Sequence, residues 1–168
     1  MIILIDGQSG AGKTTLAATL SQITGFPVVH LDDIYPGWTG LAAASDMVVR
    51  DVLHPTHPGY VSWDWENDRP GQWVSLRGGN MIVEGTGAIT EASKSAALAL
   101  GQLITLRITG PENVRKKRAL ARDPYYAPFW EMWAEQEERH FAAGVEVDYE
   151  IVLDSGGAAG RPVVSKIA

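Results

Sequence analysis

The apolar run "MIILID" leads straight into "GQSGAGKTT", residues 7–15, and that junction constrains the fold more than any other stretch of the chain. Gly7, Gly10, Gly12, Lys13 and Thr14 satisfy the pattern G-x-x-x-x-G-K-[ST] in full. Glycines let the backbone curl so that successive N–H groups meet one anion, the lysine reaches the outer phosphates, and the next hydroxyl suits a magnesium ion. The pattern carries meaning only between a strand and a helix. "IILID" (2–6) reads as a buried strand, and "KTTLAATLSQIT" (13–24) as a helix whose positive end faces the loop. Residues 7–15, with Gln8, Ser9, Ala11 and Thr15 between the motif positions, are therefore expected to cradle a nucleotide's phosphates.

Apolar runs and helical patterns then alternate, which predicts β/α units around a mostly parallel sheet. "PVVHLD" (27–32), "NMIVEG" (80–85), "QLITLRIT" (102–109) and "YEIVLD" (149–154) are the further expected strands. Helices are expected over 41–53, over 90–101 with Thr90 as N-cap and Gly101 past the end, over 111–122 behind Pro111, and over 128–144. "HPTHPGY" (54–60) must break a helix, residues 60–79 show no clear period and read as an irregular excursion, and the tail from Ser155 is rich in glycine and alanine.

A chain of 168 residues, 45% hydrophobic and 20% charged, fits one domain with a small insertion. Without cysteine it can form no disulfide, thiolate metal site or cysteine nucleophile, which fits a reducing cytoplasm, the expected location. No basic segment precedes Asp6, so no signal peptide is expected, and no stretch approaches the ~20 apolar residues of a membrane helix. A net charge of −6 argues against a nucleic-acid partner and for a small molecule.

Three expected strands end in acids that could meet a metal: Asp32 with Asp33, Glu84 and Asp154, although a strand-end acid equally serves as a helix cap or solvated turn. The Asn-Lys-x-Asp motif of GTPase switches and the Leu-Ser-Gly-Gly-Gln signature of transporter ATPases are both absent from the sequence. A small kinase passing a γ-phosphate to a bound acceptor remains.

"GQSGAGKTTLA", "LDDIY", "MIVEG" and "VRKKRALARD", in that order across residues 2–154, resemble the P-loop kinases of the uridine kinase type within the nucleoside and nucleotide kinase superfamily. The resemblance implies one α/β/α domain with a five-stranded parallel sheet in the order 2-3-1-4-5. It also implies an acceptor-site insertion at about 35–79, a helical lid at about 111–128, and ATP with Mg²⁺. It makes Asp32 the base that takes the acceptor hydroxyl's proton, with Asp33 and Tyr35 beside the acceptor. It puts Glu84 with Thr14 at the metal, and Arg115, Arg118 and Arg122 in the lid, the last two acting with Lys13 on the transferred phosphoryl group. Asp64 aligns with an acid that binds the acceptor's ribose.

The residues support part of this directly. Arginines 115, 118 and 122 recur at helical spacing, so they share a face that can close over a triphosphate or simply be solvated. Tyr35, Trp38, Tyr60, Trp63, Trp65 and Trp73 fall between the second and third expected strands, where rings could stack on an acceptor or fill core. In "WDW", Asp64 could bind an acceptor hydroxyl or close a turn, with Trp65 on the opposite side. His30 is expected in the core, His54 and His57 in a loop, and Trp130 and Trp133 as packing residues with acids 135, 137 and 138 on the wet face. Only Arg50, Arg69 and Arg77 are basic in the acceptor region, too scattered to bind a phosphorylated acceptor. The expected activity is ATP-dependent phosphorylation of a small hydroxylated acceptor, a nucleoside first. The alternatives are a nucleoside monophosphate kinase or a nucleotide-binding regulatory ATPase.

Overall fold

Every residue of the first strand, β1 (Ile2–Gly7), is buried, because β1 lies inside a sheet whose two faces are both covered. The computed structural model describes residues 1–153 and 163–166. Further strands are β2 (Val28–His30), β3 (Gly59–Asp64), β4 (Arg69–Ser75), β5 (Met81–Glu84), β6 (Leu103–Thr109), β7 (Tyr149–Val152) and β8 (Val163–Lys166). The helices are α1 (Lys13–Thr24), α2 (Leu41–Met47), α3 (Glu91–Leu100), α4 (Glu112–Arg122) and α5 (Trp130–Phe141).

The main sheet runs β2-β5-β1-β6-β7-β8. Its first five strands are parallel and are the five expected from sequence, in the expected order. The sixth is a correction: β8, from the tail beyond Ser155, pairs antiparallel with β7, so the sheet is six-stranded and mixed. Asp154 lies outside the described residues.

Alternation along β1 divides the core. Ile3 and Ile5 pack with Ala17, Leu16 and Leu20 of α1, whereas Ile2 and Leu4 join the cluster containing Leu41, Ala97, Ala119, Trp130 and Trp133 from α2 to α5. Three layers result. Thr90 caps α3 as expected, its hydroxyl accepting the Ser93 N–H at 3.0 Å while Ser93 Oγ accepts the Thr90 N–H at 2.8 Å. The helix expected over 41–53 ends in a π turn, Val48–Val52, which still buries Val48 and Val52. Beyond it, the N–H groups of Thr56 and His57 both donate to His54 Nδ1, so this histidine holds its own loop.

Residues 59–75 form an antiparallel hairpin, β3 with β4, rather than the expected irregular excursion. A bulge between Val61 and Trp63 breaks the two-residue period, and β4 is almost wholly exposed, so no apolar alternation marks it. No helix among the described residues is long and apolar enough to cross a membrane.

Candidate active site

The C-terminal ends of β1, β2 and β5 meet at one edge of the sheet, and a cavity of about 730 Å³ opens there. One end of it is the loop between β1 and α1. Ser9, Gly10, Gly12, Lys13, Thr14 and Thr15 line it. Gly10 has φ 77°, and a Cβ there would sit 2.1 Å from the Arg115 carbonyl oxygen, so no larger residue fits. Gly12 begins α1 at φ 97° with no side-chain cap, leaving the first helical N–H groups free for an anion. Gly7, Gln8 and Ala11 shape the loop from behind. A Cβ on Gly7 would strike Ile108, the Gln8 carbonyl accepts from Lys13 Nζ at 3.2 Å, and Ala11 is buried in the core.

Thr14 Oγ1 lies 3.1 Å from Glu84 Oε1, and His30 Nδ1 lies 2.6 Å from the same oxygen. Neighbouring register explains the second contact, since His30 pairs with Glu84 across β2 and β5. A hydroxyl and a carboxylate side by side are hard oxygen donors, able to hold a divalent cation that brings its remaining ligands with it. Among the described residues no cluster of three or more acids, histidines or cysteines offers a complete metal cage.

The 3₁₀ turn after β2, Leu31–Asp33, presents Asp32 to the cavity. Asp33 is outside the cavity lining; the phenol of Tyr60 is pushed up by burial and then by the Asp33 charge. Tyr35 forms part of the floor, its hydroxyl donating to the Thr86 carbonyl at 2.8 Å. Burial, and then the charges of Asp32, Asp6, Glu84 and Glu137, hold its phenol well above the usual range.

Aromatic side chains make the far end. Trp38 stacks on Phe129 with centroids 4.2 Å apart and on Tyr126 at 5.3 Å, with Trp65 tilted against it at 5.0 Å. Trp133 meets both Tyr35 and Trp38 edge-on. Trp65 reaches the site from the hairpin and fastens it by donating from Nε1 to the Asp32 carbonyl at 2.8 Å. Arg118 and Arg122 of α4 also line the cavity.

Four sequence expectations are corrected here, the first being Asp33, expected beside the acceptor but absent from the cavity wall. Asp64 lies outside the lining and closes the hairpin turn, where hydrogen bonds from Asn67, and then Arg69, hold its carboxyl below the usual range. Arg115 is buried behind the loop and does not face the cavity: its guanidinium donates to the carbonyls of Gly110 and Ser9. Glu137 is 2% exposed, not on a wet face, and accepts the Ser9 N–H at 2.7 Å. Its spacing from Trp130 and Trp133 (positions 130, 133, 137) puts it on their stripe, a signal the sequence did carry. Thr86, two residues past Glu84, was not singled out, yet it meets Lys13 Nζ at 3.4 Å and Gly7 O at 2.9 Å.

No protein-family model matches the chain, and no curated protein matches it in sequence. Solved structures do share its fold. A possible uridine kinase from Bacillus stearothermophilus is 21% identical, with a TM-score of 0.50 over 92% of this chain and 88% of that one. A gluconokinase from Sinorhizobium meliloti is 15% identical, with a TM-score of 0.50 over 92% and 82%. A shikimate kinase from Acinetobacter baumannii, solved with shikimate, is 14% identical, with a TM-score of 0.51 over 94% and 84%. With its glycine loop between β1 and α1 and its order of parallel strands, the chain has the fold of the P-loop kinases.

Proposed function

We propose that the protein is an ATP-dependent phosphotransferase that moves the γ-phosphate to a hydroxyl of a small acceptor, a nucleoside of the kind a uridine kinase takes. The observation that carries the reading is that the phosphate loop, Asp32 and an aromatic wall all line one cavity. The N–H groups of residues 10–15 hold the phosphates, with Lys13 on the β- and γ-oxygens. Thr14 and Glu84 would hold Mg²⁺, which would offset the charge of the phosphates. Asp32 orients the acceptor hydroxyl and takes its proton. As the acceptor oxygen bonds to the γ-phosphorus, the bond to the bridging oxygen breaks and ADP leaves. Arg118 and Arg122, in a lid spanning about 111–128, follow the moving charge.

The aromatic end favours a flat acceptor, since stacked rings offer area to a base or sugar face without a charge requirement. Among the described residues, the basic side chains on the cavity wall (Lys13, Arg118, Arg122) all belong to the loop or to α4, and the segments that carry Trp38 and Trp65 add none for an acceptor phosphate. That disfavours a nucleoside monophosphate. The test is ADP release from MgATP over panels of nucleosides, nucleoside monophosphates and small hydroxylated metabolites. Acceptor-dependent release with nucleosides is expected. ATP binding with no acceptor-dependent release from any panel would favour a regulatory ATPase instead.

A further inference from the structure

Behind the phosphate loop, away from the cavity, lies a buried ion pair that the proposed chemistry does not use. Glu137 of α5 is 2% exposed and Arg115 of α4 is 5% exposed, with Arg115 Nη1 3.9 Å from Glu137 Oε2. A buried pair of this kind contributes little to stability over an apolar pair of similar volume, so stability alone is a poor account of it. The remaining contacts of Glu137 point to the loop. Its Oε1 accepts the Ser9 N–H at 2.7 Å and lies 3.3 Å from Thr86 Oγ1. That hydroxyl, also 2.9 Å from the Gly7 carbonyl, is 3.4 Å from Lys13 Nζ. One carboxylate therefore grips the loop at its third residue and, through Thr86, touches the group on which the lysine rests.

We propose that Glu137 is a positioning residue for the phosphate cradle. It fixes the Ser9 peptide and the Thr86 hydroxyl so that the Lys13 ammonium is held where the outer phosphates bind. Arg115 pairs with the carboxylate at 3.9 Å and braces the Ser9 carbonyl at 3.2 Å. The inference rests on the donor half of the proposed function, that this loop binds ATP.

Its signature is a loss of affinity that depends on the β- and γ-phosphates. Glu137→Gln keeps size and one acceptor oxygen but turns an amide N–H₂ toward groups that also donate. ATP affinity is expected to fall about tenfold, the scale of one charge-assisted hydrogen bond, while AMP affinity holds. Competition binding of ATP and AMP to the full chain, with melting temperatures of both proteins, reads this out. A merely structural role would lower the melting temperature and weaken both ligands together, and an unchanged ATP-to-AMP affinity ratio overturns the proposal. Should Glu137→Gln fail to fold, Thr86→Val removes the hydroxyl that joins Glu137 to Lys13 and leaves the contacts of Glu137 with Ser9 and Arg115 in place. It should lower the ratio in the same direction, and a parental ratio in that variant overturns the proposal equally. A parent chain that binds no nucleotide overturns the proposed function, and this inference with it.

Discussion

The two ends of the cavity are built by opposite means. At the phosphate end the binding surface is backbone, supplied by nine consecutive residues, and its shape is set by positive φ angles at Gly10 and Gly12. At the aromatic end it is side chain, collected from the segment after β2 (Tyr35, Trp38), the hairpin (Trp65), the turn before α5 (Tyr126, Phe129) and α5 itself (Trp133). A backbone cradle is general, since every nucleoside triphosphate offers it the same oxygens. A wall of separate rings can be altered one residue at a time. On the proposed function, affinity for phosphate belongs to the first end, and choice of acceptor to the second.

The largest expected effect tests the generic end. Lys13→Ala removes the cation proposed to meet the β- and γ-oxygens, and turnover of MgATP should fall by about 10³–10⁵-fold, the scale of losing a cation from a phosphoryl-transfer site. Near-normal turnover would end the cradle reading. Next comes the junction between the ends. Asp32→Asn keeps shape and loses the base, so turnover should drop by about 10²–10⁴-fold with little change in MgATP affinity. Asp33→Asn should be mild, because that side chain does not line the cavity. A larger loss at Asp33 than at Asp32 would reverse the assignment of the base.

The same contrast governs what the sequence disclosed. The phosphate end is local: strand, glycines, lysine and helix follow one another, so spacing alone reveals it. The strands β1 and β5 were readable for a similar reason, as continuous apolar runs buried on both faces. The aromatic end joins residues about a hundred positions apart, and nothing in the spacing of Trp38 and Phe129 announces that their rings lie 4.2 Å apart. Asp64 shows the converse failure. An acid between two tryptophans looks like a ligand, yet the chain reverses direction there and the turn uses it. Glu137 was misread by counting it with exposed neighbours 135 and 138 when its helical phase belonged to Trp130 and Trp133.

A mid-sized effect should sharpen the specific end. Trp65 combines ring area on the cavity wall with a hydrogen bond that pins the hairpin to the Asp32 carbonyl. Trp65→Ala should raise the acceptor's KM by about 5–150-fold, the scale of one base–aromatic stack, and leave the KM for MgATP near the parental value. Steady-state kinetics with each substrate varied in turn separates the two. Equal weakening of both would mean that the ends are not independent.

The smallest expected effect asks whether one hydrogen bond joins the ends. The Tyr126 hydroxyl donates to Ser9 Oγ at 3.1 Å, while the Tyr126 ring stacks on Trp38 at an interplanar angle of 12°. Burial pushes this phenol above its ordinary range, so it remains an O–H donor at any working pH. Ser9 belongs to the phosphate loop, so tightening the loop on phosphates should steady Trp38, and filling the aromatic end should steady the loop. Linkage makes the two effects equal in free energy. Tyr126→Phe keeps the ring and its stacking but removes the strut. If the strut couples the ends, the gain in acceptor affinity produced by a non-hydrolysable ATP analogue should shrink by about 2–12-fold, the worth of one neutral hydrogen bond. Acceptor affinity without nucleotide should stay close to the parent's, since the ring is intact. Calorimetric titration of acceptor with and without the analogue gives both numbers, and Ser9→Ala should reproduce the result from the other side of the bond. A parental gain in the Tyr126→Phe variant would show that the two ends, though they share one cavity, bind their ligands separately.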